Sequence, residues 1–169
     1  LMASGVSAAR VEFDAEKQVF QRCLDVILLT LAKMMVKDGE GATKMIEVVV
    51  TGAESDADAH QAAETVAHSP LVKTAFFGAD ANWGRIIAAI GRSKIAFNPG
   101  TVDIFFDDVK LVANSVAAGG DAEARATAVL KQEELRLTVD LKTGGQGTAS
   151  LLTCDLSLDY VKINADYRS

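Results

Sequence analysis

"MIEVVVTGAESDADAHQAAETVAHSP", Met45 to Pro70, joins two different periodicities. Met45 to Thr51 is short, apolar and β-branched, which reads as a strand. Ser55 or Asp56 then offers a helix N-cap. Beyond it, Ala59, Ala62, Ala63, Val66 and Ala67 recur at helical spacing and define one apolar face. Ser69-Pro70 closes the helix, because a residue before proline is pushed out of the helical region. A strand followed by a one-faced helix implies a layered protein with helices packed on a sheet.

Working toward the N-terminus, Asp14 is a helix cap, with Lys17 where a full capping box would carry Glu or Gln. From Ala15 to Lys37 apolar residues recur at helical spacing: Val19, Phe20, Cys23, Leu24, Ile27, Leu28, Leu31, Met34 and Met35. The stripe is wide, so the helix is expected to be buried on most of its circumference. Gly39 supplies its stop.

Toward the C-terminus, "LVKTAFFG" (Leu71–Gly78) reads as a strand closed by Gly78, and "NWGRIIAAIGRS" as a helix. "TVDIFF" and "VKLVAN" read as a hairpin joined by Asp107-Asp108. Asp121 opens a further helix that runs to about Glu133. "LRLTVDL" is an alternating strand, and "TASLLTCDLSL", across the loose "KTGGQGT" loop, is its expected hairpin partner. The expected fold is an α/β (α+β) layered sandwich of helices on mixed β-sheets, one domain over residues 1–169.

Bulk properties bound the function. The chain has 169 residues, 49% hydrophobic and 24% charged, which is globular composition. Its net charge of −6 argues against nucleic acid as a partner, because phosphate neutralisation needs clustered Lys and Arg. Cys23 and Cys154 both lie in apolar segments and are expected as buried free thiols, with no secreted disulfide framework. The apolar run Val26 to Val36 is broken by Thr30 and Lys33 and is too short to span a bilayer. The N-terminus has no signal-peptide pattern. A cytoplasmic protein without a membrane partner is the expectation. The opening "LMASG" reads as the end of a strand and its turn, so the chain is expected to be a processed or truncated piece of something longer.

The histidines, His60 and His68, sit two turns apart on one predicted helix and read as exposed. No Cys/His cluster has metal-ligand spacing, so no metal is expected. There is no Gly-x-Ser-x-Gly elbow, P-loop or dinucleotide fingerprint. Three stretches remain unusual. "DGEGATK" (Asp38–Lys44) holds Glu40 between two glycines. It is either a helix stop with a solvated glutamate or a loop that lets a carboxylate approach a ligand ammonium. "SPLVKTAFFGADANWGR" (Ser69–Arg85) places Asp80 and Asn82 before a helix, as caps or as ligand contacts. "DYVKINADYRS" (Asp159–Ser169) is either a terminal strand and tail or a C-terminus tucked into a site, with Asn164 and Ser169 as hydrogen-bonding groups.

Together and in this order, "DGEGATK", "SPLVKTAFFGADANWGRI" (Ser69–Ile86) and "TCDLSLDYVKINADYRS" (Thr153–Ser169) resemble ornithine acetyltransferase, the bifunctional glutamate N-acetyltransferase family of arginine biosynthesis. The resemblance covers the whole chain and is to the C-terminal part of the family's β chain. It implies the DmpA/ornithine acetyltransferase-like N-terminal-nucleophile fold, made as a precursor that cuts itself before a threonine. That threonine takes the acetyl group from N-acetylornithine and passes it to glutamate. Some members also accept acetyl-CoA as donor, and no other cofactor is implied. The implied partners are an α chain and a second αβ pair, giving a heterotetramer. The resemblance assigns substrate binding to Glu40, Asn164 and Ser169, and places the nucleophile upstream of this chain. Thr30, Thr43 and Thr51 do not stand in its context, so the chain alone is expected to be inactive. Two alternatives stay open: a related N-terminal-nucleophile aminopeptidase, and an inactive structural fragment.

Overall fold

The computed structural model describes residues 5–166. The chain divides into two compact units, Leu1–Met34 and Met35–Ser169.

The first unit is dominated by helix α1 (Asp14–Lys37), which runs into the second. The Glu16 carboxylate caps its start, accepting from the backbone N–H groups of Glu12 at 3.0 Å and Phe13 at 3.2 Å. Asp14, the expected cap, is instead ion-paired with Lys17 at 3.1 Å. The expected burial of α1 is not found. None of its residues is buried, and Phe20, Ile27, Leu28, Met34 and Met35 are exposed. A stripe is buried only where another element faces it, and residues 5–13 form no such element. Cys23 is therefore an exposed thiol, and Cys154 of the second unit is half-buried; both are free.

The second unit is a mixed sheet with helices packed on it. The elements run β1 (Met45–Ala53), α2 (Asp56–Ala67), α3 (Pro70–Phe77), α4 (Trp83–Gly91), β2 (Asp103–Phe106), β3 (Val109–Ala113), β4 (Val116–Ala117), α5 (Ala122–Leu130), β5 (Glu134–Asp140), β6 (Gly147–Cys154) and α6 (Leu158–Asp166). The strands lie in the order β4-β3-β2-β5-β1-β6. β1 is parallel to β5 and antiparallel to β6.

Register builds the core. Ile46, Val48 and Val50 stand opposite Leu135, Leu137 and Val139, and all six are buried. Ile104 and Phe106 of β2 continue the same face. α2 covers β1 and β6 with the five apolar residues read from its spacing, α5 covers β2 and β3, and α4 packs onto α2. Each fully buried Val, Leu or Ile adds about 1.5–3 kcal/mol relative to exposure. The alternating residues face the other way, where the Arg136 guanidinium meets the Glu47 carboxylate at 2.8 Å. Layers of helix on a mixed sheet are thus what the sequence pattern implied.

Two assignments differ. Leu71–Phe77 is helix, not strand. Pro70 occupies its first turn, and Val72, Ala75 and Phe76 are buried at helical spacing. Of the β-like "LV…FF", Val72 and Phe76 share the buried face, whereas Leu71 and Phe77 are exposed. Nor does β6 pair with β5. Both edges of β5 are taken, by β1 and by β2. The 142–146 loop instead crosses the end of β1, where Thr143 donates through its N–H and its hydroxyl to the Gly52 carbonyl, each at 2.9 Å. Gly147 then lies against the backbone of Ser55, too close for a side chain.

Among the described residues, no helix is long and apolar enough to cross a membrane.

Candidate functional site

The loop Asp38–Lys44 enters β1, and Asp155 follows β6 directly. Met45 pairs with Cys154 across the β1–β6 ladder, so both segments emerge at the same end of the sheet. Three contacts join them.

The first is between side chains. Asn164 Nδ2, on α6, donates to Glu40 Oε2 at 2.9 Å across 124 residues of sequence, and to the Tyr160 carbonyl at 2.9 Å. Its two amide hydrogens are thereby engaged. Among the described residues nothing donates to Glu40 Oε1 or to Asn164 Oδ1. The pair offers two acceptors and one carboxylate charge on an exposed surface, a set that suits an ammonium group.

The second is Ser157, which caps α6. Its hydroxyl accepts from the Tyr160 N–H at 3.2 Å and donates to the Gly41 carbonyl at 2.6 Å. Gly41 has φ +67°, and its backbone lies directly on the first turn of α6.

The third is Asp155, only 3% exposed. Its carboxylate accepts from the Thr43 N–H at 2.8 Å, the Thr43 hydroxyl at 2.6 Å and the Lys44 N–H at 2.9 Å. Lys44 turns away and donates to the last carbonyls of α3, Phe76 and, at 3.1 Å, Phe77. Those carbonyls have no partner within the helix. Burial holds the Lys44 ammonium below its ordinary pKa, and the charge of Asp155 opposes that shift.

The structure thus brings Glu40 and Asn164 together. Ser169 lies outside the described residues. The segment Leu158–Asp166 is helical, not a terminal strand. Asp155 and Ser157 escaped the sequence reading, although both stand in the quoted "TCDLSLDY". Their signal was two polar side chains between an apolar strand and a helix start.

The middle stretch folds as a joint between helices. Asn82 caps α4, accepting from the Arg85 N–H at 3.2 Å, and donates to Asp80 at 3.1 Å. Arg85 reaches back to the Leu71 carbonyl at 2.9 Å and the Thr74 hydroxyl at 3.3 Å. Trp83 packs half-buried against the core. A cleft of about 430 Å³ lies between Asp80–Gly84 and the Gly119–Gly120 turn. His60 and His68 are exposed. Among the described residues, no group of three His, Cys, Asp or Glu is placed to hold a metal.

Away from this end, Asp103 is a buried charge with its partners in place. It pairs with Lys142 at 2.6 Å and Lys110 at 2.9 Å, and accepts from the Asn114 N–H at 2.7 Å. Burial alone would raise its pKa. The hydrogen bonds from Lys142, the Asn114 N–H and Lys110, with the Lys110 charge, outweigh burial and lower it to about 2.

These features define a layered α/β protein with a carboxylate–amide pair at one end of its sheet. Comparison with known proteins narrows the class. The model of the ArgJ family matches residues 1–169. The arginine biosynthesis bifunctional protein ArgJ of Geobacter sulfurreducens is 56% identical over 100% of this chain and 43% of that protein. Its counterpart from Desulfotalea psychrophila is 57% identical over 89% of this chain and 38% of that protein. The crystal structure of the same-named protein from Bacillus halodurans matches with a TM-score of 0.90 at 43% identity, over 98% of this chain and 78% of that one. The chain belongs to the ArgJ family. It spans about two fifths of the length of these curated relatives.

Proposed function

We propose that this chain forms part of the amino-acid site of an ornithine acetyltransferase acting in arginine biosynthesis in the cytoplasm. The observation that carries the reading is the Glu40–Asn164 pair, held at 2.9 Å from elements 124 residues apart. Its free acceptors suit the side-chain ammonium of N-acetylornithine. Ser169 is the third substrate contact in this reading.

The reaction follows from the family resemblance. A threonine hydroxyl, outside these 169 residues, attacks the acetyl carbonyl of N-acetylornithine. The amide nitrogen leaves as ornithine, taking a proton, and an acetyl ester remains. The amine of glutamate then attacks that ester, releasing N-acetylglutamate and restoring the hydroxyl. Two acyl transfers replace one difficult step. Acetyl-CoA is an alternative donor for the same ester. The working assembly pairs this chain with an α chain and a second αβ pair, and the isolated chain is inactive.

The test is Glu40→Ala in the full-length protein. The expected result is a lower kcat/KM for N-acetylornithine, chiefly through KM. An unchanged kcat/KM would overturn the assignment.

A further inference from the structure

Glu40 and Asn164 are both exposed, one on a glycine-flanked loop and one on the last described helix. A single hydrogen bond between exposed groups does not fix their geometry, whereas a binding site must hold it closely. Something buried has to set it. The candidates are Ser157, which ties the loop to α6, and Asp155, which ties it to the segment that leads into α6.

Asp155 uses both carboxylate oxygens on the residues that follow Glu40, Thr43 and Lys44. Ser157, 4% exposed, uses its hydroxyl once as donor, to Gly41, and once as acceptor, from Tyr160. Both groups are buried, so neither is open to a ligand. Their connections are one-sided: every partner lies in the loop carrying Glu40 or in the helix carrying Asn164. A Cβ on Gly41 would come within 2.9 Å of the Ser157 hydroxyl, so the loop rests directly on it.

We propose that Asp155 and Ser157 are positioning residues that set the angle at which Glu40 meets Asn164, and so control substrate affinity through Glu40. The proposal rests on the reading of Glu40 as a substrate contact. It extends the site inward to groups that never touch substrate.

A double-mutant cycle in the full-length protein tests it. Ser157→Ala should raise KM for N-acetylornithine about tenfold with kcat nearly unchanged, and Ser157→Thr, which keeps the hydroxyl, should restore it. If Ser157 acts through Glu40, the Ser157→Ala/Glu40→Ala double variant should lose no more than Glu40→Ala alone. Thr43→Val removes one bond to Asp155 and keeps the two from the backbone. It should raise KM about threefold, again with no further loss beside Glu40→Ala. Losses that add across the cycles would show that Ser157 and Thr43 only support the fold, and would overturn the proposal. An unaltered KM in Ser157→Ala and Thr43→Val, beside a raised one in Glu40→Ala, would overturn it too. An unaltered KM in Glu40→Ala itself would instead remove the substrate reading beneath it.

Discussion

The backbone of Gly41 lies against the backbone nitrogen of Tyr160, so close that a Cβ at position 41 would stand 2.6 Å from that nitrogen. The neighbour is main chain at the start of a helix and cannot swing aside. Position 41 also carries φ +67°, a conformation that L side chains rarely adopt. Both constraints act on the residue next to Glu40.

Gly41→Ala should therefore separate the loop from α6. The expected outcome is a full-length protein that folds with a lower melting temperature and has a KM for N-acetylornithine raised at least as far as in Ser157→Ala. Thermal denaturation and steady-state kinetics on the same preparation check it. A variant with unaltered KM would mean that the loop tolerates displacement.

Asp103 predicts a pH dependence. Its folded pKa, about 2, lies below the ordinary value of 3.8. A depressed carboxylate contributes stability that is fully present above its unfolded pKa and is lost as pH falls through the folded one. Asp103→Asn should thus be less stable than the parent at neutral pH. The difference should shrink from about pH 4 downward, as Asp103 protonates in the unfolded chain while the folded one still holds it ionised, until about pH 2. Urea denaturation of both proteins between pH 2 and pH 7 measures it. A constant difference across that range would show that charge on Asp103 is not its source.

Asn82 gives a prediction for the joint between α3 and α4. Its side chain satisfies the Arg85 N–H at the start of α4. Replacing an N-cap Asn by Ala costs about 1 kcal/mol. Asn82→Ala should lower stability by that amount, and Asn82→Ser should recover most of it. A loss of activity in Asn82→Ala at full stability would instead assign the cleft beside it a part in catalysis.

Much of this architecture was legible locally. The Met45–Ala67 pattern led to a strand and a helix at their observed places, down to the five alanine and valine positions on the core face. The β2–β3 hairpin followed from Asp107-Asp108 between two apolar runs. What failed depended on partners. Strand pairing is a long-range choice, and nothing within "LRLTVDL" states that β1 and β2 will occupy both its edges. The seven residues from Leu71 to Phe77 are short enough that composition outweighed period. The apolar stripe of α1 carried no information about what would face it. At the site, Glu40 and Asn164 stood out because they are polar groups in odd contexts. Asp155 and Ser157 did not, because their meaning lies in partners more than a hundred residues upstream.

The β1–β6 ladder also has a consequence in time. Its antiparallel register sets Met45 beside Cys154, and only then can Asn164 reach Glu40 across 124 residues. Such a closure has high contact order and forms slowly compared with the helices and the β2–β3 hairpin. On a ribosome the carboxylate loop would wait for a further 124 residues before acquiring its amide. In the proposed reading, binding competence is coupled to the docking of β6, and an ammonium-bearing ligand would report that the β1–β6 ladder has closed.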